Sequence, residues 1–350
     1  MRIAVDVSPL TTGHKVRGIG FYVKNLLTAL KRYYPEHEYI EFTGNAVPKN
    51  ADIVHYPYFD PFSLTLSFFS SKPTVVTVHD LTPLVLHQLF PVGLKGMLAW
   101  RLQRLALLRV SRVITDSVAS KNDIEHYVGL LASKIDVVHL AAGEHFGQQA
   151  KSTIEKVKKK YNLPKEFVLY VGDVTPNKNV ARLVNACLQA RMALVIAGSV
   201  FTDAKANITH PWTKDLKKVR KIVRENGDTI RLLGFVPDTD LSALYGAASV
   251  FALPSLYEGF GLPVVEAFAC GTPVVCSDKG SLKEVAGEAA LIIDPYSIES
   301  IAGGIKKVIG DKKLAATMSQ KGLQRAKEFT WGKAAQHTIN AYKKVIHNER

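Results

Sequence analysis

Residues 254–267 read Pro254-Ser255-Leu256-Tyr257-Glu258-Gly259-Phe260-Gly261-Leu262-Pro263-Val264-Val265-Glu266-Ala267. The apolar run Val250–Leu253 precedes them and reads as a short buried strand, and helical spacing follows. Pro263 suits a first helical turn, where its missing donor is no loss and its φ is already set. Gly259 and Gly261 let backbone approach a ligand without a Cβ in the way. The first amides of the helix, at Gly261 and Leu262, then form an anion site together with the helix dipole. Glu258 stands just before that site and Glu266 just after it. A bare pair of glutamates eight apart would be explained as well by a cap and a dipole-favoured first turn. The strand–Gly-x-Gly-x-Pro–helix setting, not the pair, carries the reading.

The same alternation extends in both directions. Short β-branched runs recur at Ile3–Val7, Ile53–His55, Thr74–His79, Val113–Thr115 and Asp136–His139. After a break they return at Phe167–Val171, Ala193–Ala197, Ile230–Leu233, Val250–Leu253, Pro273–Cys276 and Ala290–Ile293. Amphipathic stretches such as Phe21–Leu30, Val180–Ala190 and Ile298–Ile309 lie between them. Strands this short and apolar, separated by helices, predict parallel sheets covered on both faces. The break at 141–165 carries Gly143, Gly147 and the run Lys156-Val157-Lys158-Lys159-Lys160 before Pro164, which reads as a linker and a solvated helix. This divides the chain into a first doubly wound domain, 1–150, and a second, 151–330. In such sheets ligands sit beyond the carboxyl ends of the strands.

Composition narrows the classes. The 350 residues carry 45 Lys and Arg against 31 Asp and Glu, a formal charge of +14. Net charge is +3 over 1–150, +9 over 151–230 and +2 over 231–350, so the excess is concentrated on one stretch of mostly solvated helix. No aromatic-interleaved basic motif or helix-turn-helix accompanies it, which argues against a nucleic-acid partner. No apolar run reaches the ~18 residues of a membrane span. The opening Arg2-Ile3-Ala4-Val5-Asp6-Val7 reads as a strand and not as a secretion signal. Cys187, Cys270 and Cys276 are too few and too apolar in setting for a disulfide framework or a zinc site, which fits a reduced cytoplasmic location. No acid occurs between Asp80 and Asp116, whereas Lys95, Arg101, Arg104, Arg109 and Arg112 do. The stretch 92–112 is therefore a candidate for peripheral contact with an anionic membrane surface, with a core helix and snorkelling arginines as the alternative.

The segment 254–267, followed by Cys270-Gly271-Thr272-Pro273-Val274-Val275, closely resembles the retaining glycosyltransferases of family 4, which have the GT-B fold. That resemblance implies two Rossmann-like domains facing a cleft, with a C-terminal helix, 331–350, packing back on the first. It extends over most of the chain. Arg17-Gly18-Ile19-Gly20-Phe21-Tyr22 looks like the family's N-terminal glycine loop, with Gly18 and Gly20 letting the donor phosphate approach a helix starting near Phe21. Thr77-Val78-His79-Asp80-Leu81-Thr82-Pro83 looks like the segment whose histidine, here His79, faces the transferred sugar; Asp80 reads as a turn or cap residue. Val171-Gly172-Asp173-Val174-Thr175-Pro176-Asn177-Lys178-Asn179 looks like the loop that grips the donor diphosphate. Lys178 matches it, but Asp173 and Asn177 stand where the family usually has arginine, so the bidentate fork is missing. Gly234-Phe235-Val236-Pro237 resembles the loop reading the nucleotide base through Phe235 and Val236, with Leu241 and Tyr245 as candidate walls. Asp238-Thr239-Asp240 imitates a D-x-D metal motif but sits where helix caps do; Ser281-Leu282-Lys283-Glu284 reads as a capping box.

The resemblance implies a hexosyltransferase that retains anomeric configuration. His79, Lys178 and Glu258 are the catalytic candidates. Glu258 holds sugar hydroxyls and Glu266 the ribose, while Gly259, Phe260, Gly261, Leu262 and Asn177 complete the donor site. No metal or other cofactor is expected, because Lys178 and the helix amides meet the departing charge. The His79-Asp80-Leu81-Thr82-Pro83 form is most similar to members transferring mannose from GDP-mannose to a glycan or lipid-linked glycan. UDP-glucose and UDP-N-acetylglucosamine transferases, and a GT-B epimerase or hydrolase, remain alternatives.

Overall fold

The computed structural model describes residues 1–11, 18–44, 46–67, 70–227 and 229–347. The chain divides into two compact units, Met1–Val85 with Pro91–Leu140 and Phe329–Arg350, and Leu86–Phe90 with Ala141–Glu328.

The first unit holds the strands β1 (Arg2–Asp6), β2 (Glu38–Phe42), β3 (Ile53–Tyr56), β4 (Thr74–Thr77), β5 (Arg112–Thr115) and β6 (Ile135–Val137). They form one sheet in the order β2-β1-β3-β4-β5-β6, every pair parallel. The strands β3, β4 and β5 are buried along their length, as expected of parallel strands with helices on both faces. Alternation of apolar runs predicts all of these except β2. Its sequence, Glu38-Tyr39-Ile40-Glu41-Phe42, carries two glutamates because it is an edge strand, and only Phe42 is buried. The helix Trp331–His347 belongs to this unit and packs on Gly18–Tyr33, with Trp331 against Phe21 and Tyr22.

The second unit holds β7 (Val168–Val171), β8 (Leu194–Ala197), β9 (Ile230–Gly234), β10 (Val250–Leu253), β11 (Val274–Cys276) and β12 (Ala290–Ile292). Its sheet runs β12-β11-β10-β7-β8-β9, again all parallel. Here Val168, Leu169, Tyr170, Leu194, Val195, Ile196, Val250 and Phe251 are entirely excluded from solvent. The three cysteines are buried and unpaired.

The units divide ten residues earlier than composition suggests. Gly147 N and Gln149 Nε2 both donate to Ser242 Oγ, at 3.3 and 3.0 Å, and so tie the 141–150 stretch to the second sheet's helices. Leu86–Phe90 joins the same unit, with the Phe90 ring edge-on to Trp212 at 5.1 Å.

Candidate active site

In the second unit β7 and β10 are neighbours, and the chain proceeds from them in opposite directions, to β8 and to β11. The loops after β7 and β10 therefore diverge, leaving the crevice at which open α/β sheets take ligands. Lys178 closes the single turn Pro176–Lys178 after β7, and Glu258 lies in the loop after β10. Lys178 Nζ lies 2.8 Å from each oxygen of the Glu258 carboxylate. Ser255 Oγ adds a 2.5 Å hydrogen bond to Glu258 Oε1. Asn177 sews the loops together: its Nδ2 donates to Tyr257 O at 3.0 Å, and its carbonyl accepts from Leu256 N at 2.6 Å. Asn179, in the left-handed region at φ 58°, donates to Pro254 O and Pro295 O.

The backbone of Glu258 is held as tightly as its side chain. Gly280, at φ +62°, packs so closely that a Cβ there would lie 2.3 Å from Glu258 O. Ser281 then donates to that carbonyl twice, from N at 3.0 Å and Oγ at 3.1 Å. The capping-box reading of Ser281 is therefore corrected. It precedes the helix Leu282–Ala286 but makes no side-chain cap, because its hydroxyl is committed to Glu258.

Gly261 takes φ +91° and caps the helix Leu262–Ala269 with Pro263 in its first turn. Gly259 and Phe260 lead into that turn, and Phe260 is buried. Glu266 lies one turn further in than a first-turn residue and is buried, with its Oε2 accepting from Tyr245 Oη at 2.8 Å. Burial pushes its carboxyl up to about 7, with Tyr245 pulling back. Tyr245 is wholly buried, so it supports Glu266 and offers no open wall. After β9, Phe235 is 63% exposed whereas Val236 is buried.

Asp238 and Asp240 lie inside the helix Asp238–Ala247, whose cap is Pro237; the expected aspartate cap is thus a first-turn pair, which the dipole favours. Asp240 is engaged by Lys160 and Tyr161. Among the described residues no three His, Cys, Asp or Glu side chains group as metal ligands.

In the first unit three adjacent strands deliver a second cluster. Pro57, His79 and Asp116 follow β3, β4 and β5 by one, two and one residues. His79 Nδ1 lies 2.8 Å from Asp116 Oδ2, and Nε2 lies 3.2 Å from Pro57 O. The Tyr22 ring stands edge-on to the imidazole, 4.7 Å between centroids. Asp80 Oδ1 accepts from Thr82 N at the next short helix. Gly18 opens the helix Gly18–Tyr33 and Gly20 is buried within it, so the helix begins three residues before Phe21. Arg17 lies outside the described residues.

Two family models match this chain: Glycosyltransferase Family 4 over residues 41–141 and Glycosyl transferases group 1 over residues 152–325. The chain belongs to these glycosyltransferases. O-antigen chain mannosyltransferase B of Escherichia coli is 35% identical over 238 residues, 66% of this chain and 60% of that one. Serotype-specific mannosyltransferase WbdA of Escherichia coli is 26% identical over 289 residues, 79% of this chain and 34% of that protein. The chain thus spans less than two thirds of the length of these relatives. Among solved structures, sucrose-phosphate synthase from Thermosynechococcus elongatus aligns over 99% of this chain and 100% of its own, with TM-score 0.77 and 20% identity. Anabaena HepE in complex with UDP and glucose aligns over 98% and 100%, with TM-score 0.77 and 18% identity. At these identities the likeness is one of fold, the GT-B architecture.

Within this glycosyltransferase the structure gathers Asn177, Lys178 and Glu258 into one cluster and Tyr245 with Glu266 into another, both on the second unit. His79, Gly18 and Gly20 lie on the first. Sequence reasoning missed Asp116, Ser255, Gly280 and the true use of Ser281. The Thr115-Asp116-Ser117 stretch reads only as a strand end and a cap, and Ser117 does cap the next helix. The link from Asp116 to His79 exists only through the pairing of β4 with β5.

Proposed function

We propose that this chain transfers a hexose from a nucleotide-diphospho-sugar with retention, the donor being GDP-mannose and the acceptor a glycan or lipid-linked glycan. The observation that carries this reading is the Lys178–Glu258 cluster at the strand-order switch of the second unit, beside the Gly261-capped helix. Departure of a diphosphate builds negative charge on its oxygens. Lys178 and the first amides of that helix are preorganised donors of the kind that stabilise such charge. Glu258 accepts from the sugar hydroxyls and Glu266 from the ribose. No metal enters this scheme. With Asp173 and Asn177 at the family's arginine positions, Lys178 acts as a point charge, so the helix amides carry more of the diphosphate.

The mannose assignment rests on relatives that transfer mannose, including the 35% identical one. HepE, bound to UDP and glucose, makes UDP-glucose the competing donor. Purified protein incubated with GDP-mannose, UDP-glucose and UDP-N-acetylglucosamine, without acceptor, tests this by slow donor hydrolysis followed by mass spectrometry. GDP-mannose turnover is the expected result. Turnover of a UDP-sugar alone replaces the donor, and an isomerised sugar nucleotide points to an epimerase.

A peripheral site on an anionic lipid surface accompanies this reading. The helix Leu94–Arg109 exposes Leu94, Met97, Leu98, Leu102 and Leu105 beside Lys95 and Arg101. Among the described residues no helix is long and apolar enough to cross a membrane.

A further inference from the structure

The histidine of the first unit stands in an unusual setting. Both atoms facing its ring nitrogens are oxygens of groups that accept: a carboxylate at Nδ1 and a peptide carbonyl at Nε2. A carbonyl has no proton to give, so Nε2 carries one. At Nδ1 a single proton lies between ring and carboxyl. In water an imidazole outcompetes a carboxylate for it by roughly two to three pH units. The second charge-assisted contact, at Pro57 O, favours the cation further.

We propose that Asp116 is a positioning residue for the transfer reaction: it orients the His79 ring, keeps both nitrogens protonated, and so presents Nε2–H as a fixed donor to an oxygen of the transferred sugar. Its assignment rests on the glycosyltransferase reading above for the identity of that oxygen, though not for the protonation state.

The surroundings support this. Burial disfavours the charged imidazole, but the Asp116 charge and hydrogen bond outweigh it, with Asp80 and Pro57 O adding, so His79 is shifted upward from its ordinary value. For Asp116 burial is the largest influence and pushes its carboxyl up; His79 and His139 pull it down, whereas Asp80 opposes them. Asp116 is 3% exposed; its Oδ2 meets the ring, and its Oδ1 has no hydrogen-bond partner among the described residues. The titratable groups facing the ring from the helix Gly18–Tyr33 and from β3 are neutral. Tyr22, from the helix Gly18–Tyr33, is held far above its usual range by burial. His55 on β3 is pushed down to about 3 by burial and by His79. His55 is instead consumed in a buried chain in which Nε2 meets Thr77 Oγ1 at 2.8 Å, Thr77 Oγ1 meets Tyr22 Oη at 3.0 Å, and Nδ1 meets Tyr342 Oη at 2.7 Å. Two histidines, one on β3 and one just past the end of β4, are thus driven to opposite states. His55 is a neutral structural group, and His79 is a cation whose Nε2–H rests on a main-chain oxygen until a better acceptor arrives.

The experiment is a 15N-resolved imidazole titration of the full chain from pH 5.5 to 9, with and without Asp116→Asn, read alongside the pH profile of donor turnover. Wild type should show one ring, absent in His79→Gln, with both nitrogens still protonated at a pH where an ordinary imidazole is neutral. In Asp116→Asn burial loses its main counterweight, so that ring should give up its second proton at a lower pH than in wild type. The alkaline limb of turnover should then move down by about one pH unit or more. Asp116→Glu should restore part of the shift. A neutral His79 ring in wild type at pH 7, or an identical titration in Asp116→Asn, overturns the proposal. The titration needs no substrate, so it stands even if the donor assignment fails. Should Asp116→Asn not fold, the wild-type titration alone still decides.

Discussion

Lys178 Nζ bridges both carboxylate oxygens of Glu258 at 2.8 Å, so the two groups proposed to meet the donor neutralise each other. Neither is more than about a fifth exposed, so screening of the pair is limited. A donor diphosphate must compete with Glu258 for the ammonium. Glu258→Gln should therefore tighten binding of the free nucleoside diphosphate several-fold while lowering turnover by ~100-fold or more, since a transition-state contact is lost. Calorimetry with the nucleotide and a single-turnover assay on the same preparation separate the two effects. Unchanged turnover with intact folding would remove Glu258 from the site.

Gly280 offers a test of how Glu258 is placed. A methyl group at 280 meets Glu258 O at 2.3 Å and Glu258 N at 2.9 Å, and φ +62° is unfavourable to any L residue. Backbone cannot swing aside as a long side chain can. Gly280→Ala should lower Tm by several degrees and depress turnover beyond what the lost stability explains. Gly303, on the helix Ile298–Gly310 with nothing within 4 Å of its added Cβ, is the control. Gly303→Ala should leave turnover intact and hold or slightly raise Tm.

In the proposed donor site, Glu266 should make nucleotide binding depend on pH near neutrality. Burial raises its carboxyl to about 7, above the 4.5 of a free side chain, so the folded protein holds this proton more firmly than the unfolded one. Its contribution to stability is present below about pH 4.5 and is lost as pH rises through 7. Ribose hydroxyls need the ionised form as acceptor, so nucleotide affinity should move the other way, weakening as pH falls from 8 to 6. Tyr245→Phe deletes the hydrogen bond that holds the carboxylate down, and should carry the midpoint of that affinity curve upward. A curve that is flat across this range, or a midpoint unmoved in Tyr245→Phe, would separate Glu266 from the ribose.

Much of this arrangement is legible in the sequence where hydrophobic runs and glycines decide it. Eleven of the twelve strands among the described residues are apolar enough to be read singly, and Val250–Leu253 ahead of Glu258 places that residue at a strand's carboxyl end. The strand Glu38–Phe42 is not, since an edge needs only one buried side. The supports of the site are the least visible part. Gly280 and Ser281 serve Glu258 across more than twenty residues, and Asp116 serves His79 across thirty-seven; these links depend on which strands pair, β10 with β11 and β4 with β5. Local rules instead assign Ser281 to a cap, because a serine three residues before a glutamate is chemically able to be one.

The outer face of the helix Leu94–Arg109 gives the prediction about location. Its inner face buries Gln103, Ala106 and Leu107, and the Gln103 amide is fastened to the backbone of Leu66 by bonds in both directions. Leu94, Leu98 and Leu105, at spacings of four and seven, share the opposite face at 84%, 59% and 49% exposure. Arg101 lies among them and Lys95 beside them, both exposed, in a stretch of sequence that has no acid from 81 to 115. A face that is apolar, exposed and basic but not acidic matches an anionic bilayer better than a protein surface of mixed charge. In flotation, wild type should rise with phosphatidylglycerol vesicles and not with purely phosphatidylcholine ones, and added salt should weaken the association. Leu98→Glu with Leu105→Glu should abolish flotation while leaving hydrolysis of a soluble donor intact, because neither leucine contributes to the sheet core. Wild-type protein that ignores anionic vesicles at low salt would sink the membrane assignment and leave these leucines to another partner.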